Sequence, residues 1–281
     1  KEAFYERLGY VRTACSFSYS IGTGTFAEYL GSAEAGGLRV DRVESEAAQE
    51  RYFDAMRSSF RGVHGRVLHE DLGPEGWKAR FKDRLFLFVT RNGTTTGLAS
   101  YTKKGFLTEG QISAQDFFWA DDHSLRALLG FFALHRDQIS TVSITLPISV
   151  NIAQLVPRIV PPFTASIHGA PWMVRITDVE QALTALPVTG GGSMVVEVAD
   201  PFCPWNAGRF RIDATSGTLA VSRTDEQADV QLDVTALSAL LYGAMPIDQL
   251  VREFDPIAHR ESLELLGRWF PERVVFNDYW F

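Results

Sequence analysis

The apolar residues of this chain change their spacing repeatedly between a strand period and a helix period, and this restricts the fold most. From Leu38 a short strand pattern is followed by two helical patterns and two strand patterns that meet at Asn92-Gly93, a strong hairpin signal. From Thr177 a helical pattern, which Thr177 is expected to cap, precedes four strand-like segments and two more helices. The sequence predicts an α/β (mixed α+β) fold.

Glycine and charge suggest where the domains divide. The stretch from Gly22 to Gly37 is rich in Gly, Ser and Thr, which predicts a linker. We therefore expect residues 1–22 to end a first domain, 23–37 to be the linker, 38–176 to form a second domain and 177–281 a third. Residues 171–281 contain 8 Arg, no Lys and 16 acidic residues, whereas the rest has 19 cations and 18 acids. This asymmetry favours a separate acidic module, although a merely solvated acidic surface explains it equally well.

Composition excludes several classes of protein. The net charge of −7 has the wrong sign for a protein that coats nucleic acid, so no nucleic-acid partner is expected. Two cysteines without a C-x-x-C spacing predict neither a disulfide framework nor a thiolate metal site, which fits a reducing cytoplasm. No apolar run has the length of a membrane-spanning helix, and a cytoplasmic protein without a membrane partner is expected. The chain begins at Lys1 on a helical pattern, as if cut from something longer.

Common catalytic and ligand-binding motifs are missing. The six histidines show no H-E-x-x-H or other paired spacing, so no metal site is predicted. The segment Gly22-Thr23-Gly24 lacks the third glycine and the following elements of a dinucleotide-binding turn, and it is interpreted as linker. Phosphate-binding loops and the G-x-S-x-G motif of serine hydrolases do not occur.

Three local signatures point further. Phe4-Tyr5-Glu6-Arg7-Leu8-Gly9-Tyr10 resembles the F-Y-x-x-x-G-[FY] segment that closes the acetyl-CoA-binding core of GNAT acetyltransferases. Trp172 to Leu183 looks like the M-x-R-[IV]-x-D-V junction that leads into a sterol-carrier-type domain. The third signature is the predicted helix Ser262 to Phe270, followed by Pro271 and a terminal strand that ends Asp278-Tyr279-Trp280-Phe281.

In this order the signatures resemble the Eis (enhanced intracellular survival) family, which joins a GNAT domain, a second GNAT-like domain and a sterol-carrier-protein-like domain. The resemblance runs from end to end, with the first domain represented only by its last helix and strand. The family's acetyl-CoA pyrophosphate loop, R/Q-x-x-G-x-G/A, is not found in the sequence. The resemblance thus implies an N-terminally truncated acetyltransferase whose acetyl-CoA site lies upstream of Lys1, with no cofactor-binding residues in the chain.

The resemblance also implies two catalytic residues. Tyr5 matches the family's general acid, which returns a proton to the leaving thiolate of coenzyme A. Phe281 matches the terminal residue whose main-chain carboxylate serves as general base; a terminal carboxylate is only weakly basic, so it would act through position, burial or a bridging water. The alternatives are that Tyr5 is a core aromatic beside Phe4 and that Phe281 only packs into the core.

Two weaker candidate sites come from the residues alone. Asp116, Asp121 and Asp122 flank Phe117, Phe118 and Trp119, a combination that could hold a polyamine through charge and cation–π contacts. Alternatively these acids mark a solvated strand end and the start of a helix that Asp122 precedes. An aromatic loop, Pro201, Phe202, Pro204 and Trp205, could line a lipid tunnel, although simple packing is favoured.

The function expected from the resemblance is acetyl-CoA-dependent N-acetyl transfer to a small-molecule amine of the aminoglycoside or polyamine type. The alternative is a non-catalytic lipid-carrier or protein-interaction module. We also expect that the second domain does not bind acetyl-CoA, since no Gly-rich loop joins a strand to a helix there, and that the chain forms homo-oligomers.

Overall fold

The computed structural model describes residues 2–59, 73–156, 163–215 and 217–275. Their contacts divide into two compact units. The central unit consists of the described residues of 15–170, and the discontinuous unit consists of residues 2–14 together with 171–275.

A seven-stranded sheet holds the strands β1 to β7 in the order β2-β3-β4-β5-β6-β1-β7. Their bounds are β1 Val11–Gly22, β2 Arg39–Glu44, β3 Leu85–Arg91, β4 Thr94–Lys104, β5 Leu107–Trp119, β6 Ile139–Pro147 and β7 Thr164–Val174. β3 and β4 form the predicted hairpin, and Asn92 and Gly93 both have positive φ, as a type I′ turn requires.

The sheet of the central unit is covered on both faces. Along β3, Phe86 and Phe88 join one apolar cluster while Leu87 and Val89 join another, because successive side chains of a strand point to opposite faces. The helices α3 (Ser45–Ser58) and α4 (Pro74–Arg80) contribute to the Phe86 cluster, and α5 (Asp122–Ala133) contributes to the Leu87 cluster. Burial on both sides explains why β3 is apolar at consecutive positions.

β5 and β6 are parallel, and their pairing ends before either strand does. Their ladder runs to Ala114 opposite Ile144, after which β5 continues to pair only with β4 and β6 only with β1. The two strands therefore separate toward their carboxyl ends, where α5 begins.

The prediction of a linker at 23–37 is wrong. Residues 23–29 form a 3₁₀ helix, and Ser32–Ala35 form the short helix α2. Phe26 is fully buried, and the backbone of Tyr29 lies so close to Gly130 of α5 that a Cβ there would clash with it. Gly130 lacks a Cβ and so permits this close packing of one backbone against another.

The discontinuous unit contains a five-stranded sheet in the order β10-β9-β8-β11-β12. β8 and β11 are parallel, and the other neighbours are antiparallel. The bounds are β8 Gly192–Ala199, β9 Gly208–Thr215, β10 Thr218–Arg223, β11 Val230–Asp233 and β12 Ile257–Ala258. The helices of this unit are α1 Glu2–Glu6, α7 Val179–Thr184, α8 Val234–Tyr242, α9 Ile247–Phe254 and α10 Arg260–Trp269. Val11 packs into the same apolar core as Leu240 and Trp269.

The prediction of a mixed α/β fold is confirmed. Besides the helices within 23–37, the predicted elements omit α6 (Ile152–Leu155), most of β7, α9 and the short β12. α9 had a clear signal, since Ile247, Leu250, Val251 and Phe254 have the spacing of one helix face. The predicted last strand reaches the described residues only as a bridge at Val275. No helix in the described parts of the chain is long and apolar enough to cross a membrane.

Both helix caps placed by sequence are off by one residue. Asp178, not Thr177, caps α7, with its carboxylate accepting from the backbone N of Gln181 at 2.9 Å. Asp121, not Asp122, caps α5 by accepting from Ser124 N at 2.9 Å. A carboxylate reaches the amide three residues ahead, and this geometry decides between neighbouring candidates.

Candidate functional site

Tyr5 lies at the end of α1, where the chain makes a tight left-handed turn. The backbone N of Tyr10 donates to Tyr5 O at 3.2 Å and that of Gly9 donates to Glu6 O at 3.0 Å, the pair of bonds that defines a Schellman motif. Gly9 has φ +84°, a conformation that costs glycine little. The spacing F-Y-x-x-x-G-[FY] is thus the spacing of a helix stop.

The Tyr5 side chain is half-exposed and held by two aromatic rings. Its ring makes edge contacts with Phe4 and Tyr10, at centroid distances of 5.4 and 5.7 Å. The contact with Tyr10 is the apolar contact that accompanies a Schellman motif, so one local structure sets both the helix end and the ring. Tyr5 is 46% exposed, so the phenol is accessible, which is not what a buried core aromatic would show.

Arg175 contacts the same helix end. Its Nη1 donates to the carbonyl of Leu8, which the short helix leaves unpaired. Its Nη2 lies 2.8 and 2.7 Å from the two carboxylate oxygens of Asp200. The side chains are 5% and 0% exposed, so this is a buried ion pair within the discontinuous unit.

Asp200 is fully supplied with donors. The backbone N atoms of Phe202 and Cys203 donate to its Oδ1 at 3.1 and 3.0 Å, and Asn206 Nδ2 donates to Oδ2 at 3.1 Å. Burial raises the pKa of Asp200, but the hydrogen bonds from Asn206, Cys203 and Arg175 outweigh it and leave this pKa below its usual value. The carboxylate is therefore ionised at neutral pH.

The second predicted catalytic residue, Phe281, lies outside the described residues, which end at Val275. The structure therefore describes Tyr5 and its surroundings, and the terminal carboxylate stays a prediction.

The longer described helices are poor sites for the pyrophosphate of acetyl-CoA. A helix N-terminus attracts a phosphate through free amides and its positive dipole end. Each described helix of eight or more residues instead has an acidic residue at its N-cap or in its first turn. These residues are Glu44 and Glu46 on α3, Asp121 and Asp122 on α5, Asp233 on α8, Asp248 on α9 and Glu261 on α10. The carboxylates would repel a pyrophosphate.

The N-terminus of α5 is the clearest example of a helix end that carries a carboxylate, because it follows the point where β5 and β6 separate. Asp121 accepts from Ser124 N and from Arg91 Nη1 at 2.7 Å. Burial raises the pKa of Asp121, but these hydrogen bonds outweigh it and hold the pKa below its ordinary value. The helix end is occupied by the chain's own carboxylate.

The three aspartates considered for polyamine binding do not form one site. Asp116 is fully buried, accepts from Ser100 and lies 3.7 Å from Arg84 Nη1. Asp121 serves as the helix cap, and Phe117 and Phe118 are buried in two different clusters. Two of the three carboxylates and the rings of Phe117 and Phe118 are thus engaged within the protein, whereas the Asp122 side chain is 80% exposed.

The aromatic loop of the discontinuous unit differs from the expectation of simple packing. Phe202 is 50% exposed and Trp205 is 61% exposed, although Trp205 Nε1 donates to Thr177 O at 2.8 Å.

Within the described parts of the chain, no group of three or more His, Cys, Asp or Glu side chains could hold a metal ion.

Sequence reasoning missed the roles of Arg175 and Asp200. Arg175 stands inside the M-x-R-[IV]-x-D-V segment, so its presence there was a signal, but nothing in the sequence connects it to Leu8, 167 residues away. Asp200 carried no signal beyond its place before a proline-rich loop.

Comparison with known proteins identifies two domains. Residues 69–176 match an acetyltransferase (GNAT) domain, and residues 179–276 match a sterol carrier protein domain.

Two curated relatives are similar over parts of the chain. An uncharacterized N-acetyltransferase of Streptomyces coelicolor is 39% identical over 77 residues, which are 27% of this chain and 19% of that protein. An uncharacterized N-acetyltransferase of Streptomyces avermitilis is 34% identical over 107 residues, 35% of this chain and 26% of that protein. In both cases the match covers a minority of the relative's length.

Solved structures share the fold over nearly all of the chain. A GCN5-related N-acetyltransferase from Anabaena variabilis has a TM-score of 0.81 at 19% identity, covering 99% of this chain and 70% of that one. Eis1 from Mycobacterium abscessus has a TM-score of 0.69 at 22% identity, covering 100% and 71%. At such identities the likeness shows the fold alone. The family matches therefore concern two successive parts of the chain, residues 69–176 for the acetyltransferase (GNAT) domain and residues 179–276 for the sterol carrier protein domain.

Proposed function

We propose that this chain is part of an acetyl-CoA-dependent N-acetyltransferase of the Eis type that acts on amine-bearing small molecules, of the aminoglycoside or polyamine kind. The observation that carries the proposal is the half-exposed Tyr5 at a helix end that several hydrogen bonds fix. The two domain matches support it. A phenol that must reach a reacting group needs both access and a fixed backbone.

In this proposal two groups of the chain move protons. Bound acetyl-CoA supplies an activated acetyl group and a thiolate as leaving group. The terminal carboxylate of Phe281 accepts a proton from the attacking amine, and Tyr5 Oη donates a proton to the leaving sulfur, so charge balances over the transfer. Since each described helix of eight or more residues begins with a carboxylate, the proposal places the cofactor on residues outside the described ones.

The test measures thiol release from acetyl-CoA by the natural gene product that contains this chain. Aminoglycosides, spermidine and a lysine peptide serve as acceptors. Tyr5→Phe should lower turnover by a factor on the order of 10² to 10⁴, the usual contribution of a positioned acid, without weakening cofactor binding.

A matched control is Tyr242→Phe on α8, which removes a phenol oxygen from the same unit and should leave turnover unchanged. Thiol release that no amine stimulates would contradict the proposed reaction. Full turnover by the Tyr5→Phe protein would contradict the assignment of the acid.

A further inference from the structure

The ion pair of Arg175 with Asp200 is buried, with side chains 5% and 0% exposed. Burying two charges costs free energy that their attraction offsets only when the geometry is good and the other hydrogen-bonding positions are filled. Asp200 meets this condition through two backbone amides and Asn206. The pair is thus anchored in the sterol-carrier-type fold before it touches α1.

The guanidinium of Arg175, fixed by Asp200, contacts the C-terminal end of α1, the helix that contains Tyr5. Arg175 Nη1 donates to Leu8 O, and the same atom lies close enough to Gly9 to clash with a Cβ placed there. The same Cβ would also lie 2.9 Å from Val234 Cγ1 of α8. The turn after Tyr5 is therefore enclosed by the discontinuous unit and fixed by one charged donor.

Gly9 stands four positions after Tyr5, and the Schellman bonds connect the turn at Gly9 to Tyr5. The Tyr10 amide is bonded to the carbonyl of Tyr5 itself, and the Tyr10 ring contacts the Tyr5 ring. A displacement of Gly9 would break both contacts, so it would move the phenol without unfolding the sheet.

We propose that Arg175 is a positioning residue for the acetyl transfer: fixed by Asp200, it holds the Leu8 carbonyl and thereby keeps the Tyr5 phenol in place to donate its proton. This inference rests on the proposed function of Tyr5. It gives the sterol-carrier-type domain a part in catalysis, because Asp200 belongs to that domain whereas Tyr5 belongs to the acetyltransferase signature.

The main variant is Arg175→Lys. An ammonium keeps the charge that Asp200 needs, but it lacks the planar fork that reaches two acceptors in different directions. Asp200→Asn removes the charge partner and leaves Arg175 present. The matched control is Arg84→Lys, which alters an arginine beside a buried aspartate, Asp116, in the central unit.

Kinetics of the natural gene product give the first readout. Arg175→Lys should lower kcat by about 10- to 100-fold, the effect of losing one charge-assisted hydrogen bond, while the KM values for amine and acetyl-CoA stay unchanged. In a Tyr5→Phe background the same substitution should cost nothing further, because two residues that act through one group are not additive. Arg84→Lys should leave kcat unchanged.

Hydrogen exchange of the 281-residue chain gives a readout without activity. The amides of Gly9 and Tyr10 should exchange at least about 10-fold faster in Arg175→Lys than in the parent chain. If the lysine variant does not fold, Gly9→Ala, whose Cβ would push Arg175 Nη1 away from the turn, replaces it in both measurements.

The outcomes separate the two proposals. If Tyr5→Phe impairs turnover but Arg175→Lys has no effect, or an effect that adds to that of Tyr5→Phe, the positioning role is overturned and the acid role stands. If Tyr5→Phe has no effect on turnover, the acid role fails and the positioning role fails with it, whatever exchange shows. Unchanged exchange at Gly9 and Tyr10 would show that Arg175 does not hold the turn.

Discussion

Gly9→Ala tests how strongly the fold depends on the turn after Tyr5. Gly9 has φ +84°, and an alanine in this left-handed region costs roughly 1–2 kcal/mol. Its Cβ would also lie 2.9 Å from Val234 Cγ1 and nearer still to Arg175 Nη1. Because Val234 is packed in the buried apolar core, we expect the Arg175 guanidinium to move rather than Val234.

The movement of Arg175 sets the second part of the cost. If its bond to Leu8 O is lost, a charge-assisted hydrogen bond worth about 1.5–3 kcal/mol disappears. The two effects together predict that the free energy of unfolding of the discontinuous unit falls by about 2.5–5 kcal/mol. The central unit should be unaffected, since none of these residues belongs to it.

Gly190→Ala is the matched control. Gly190 belongs to the same unit and also has φ +84°, but nothing lies within 4 Å of a Cβ placed there. Only the backbone cost of roughly 1–2 kcal/mol should remain. Urea titrations followed by hydrogen-exchange mass spectrometry report each unit by its own peptides. Equal destabilisation by the two substitutions would refute the claim that Arg175 and Val234 enclose the turn.

Further predictions concern the terminus, the cofactor, pH and assembly. One residue added after Phe281 moves the carboxylate by about 3.5 Å and should lower turnover by a factor on the order of 10² to 10⁴; unchanged turnover would remove this base from the mechanism. Titrating the 281-residue chain with acetyl-CoA should release negligible heat, and saturable binding would contradict the reading of the helix ends. Because the pKa of Asp200 is lowered on folding from 3.8, its contribution to stability is complete above that pH and is lost as the pH falls through the lowered value. The free energy of unfolding should therefore depend less steeply on pH in the acid range for Asp200→Asn than for the parent chain. Identical slopes would contradict this contribution of Asp200. Sedimentation velocity at micromolar concentration should show oligomers, and a strict monomer would contradict the expected self-association.

Much of the fold was predictable from spacing alone. The β3 to β4 hairpin follows from Asn92-Gly93 between apolar runs, and α5 follows from the helical spacing of its leucines and phenylalanines. These elements are set by interactions between residues close in sequence, which a pattern records directly. α9 was predictable in the same way, since the apolar residues of one of its faces already have helical spacing in the sequence.

The segment 23–37 shows where local reasoning fails. Glycine lowers local helix and strand preference, so a Gly-rich stretch is indistinguishable from a loop until its packing partner is known. Only the close approach of the Tyr29 backbone to Gly130 decides that this stretch is part of the core. The exposure of Trp205 is of the same kind, because burial depends on distant neighbours.

The same distinction between local and distant interactions applies to the candidate site. The sequence by itself determined the Tyr5 helix and its stop, because a Schellman motif needs only a glycine and an aromatic residue at fixed spacing. Tertiary structure alone decided that Arg175 and Asp200 hold that helix end, since these residues stand 167 and 192 positions beyond Leu8. A buried charge must find its partners wherever the fold brings donors and acceptors together, and no pattern of neighbouring residues encodes that meeting.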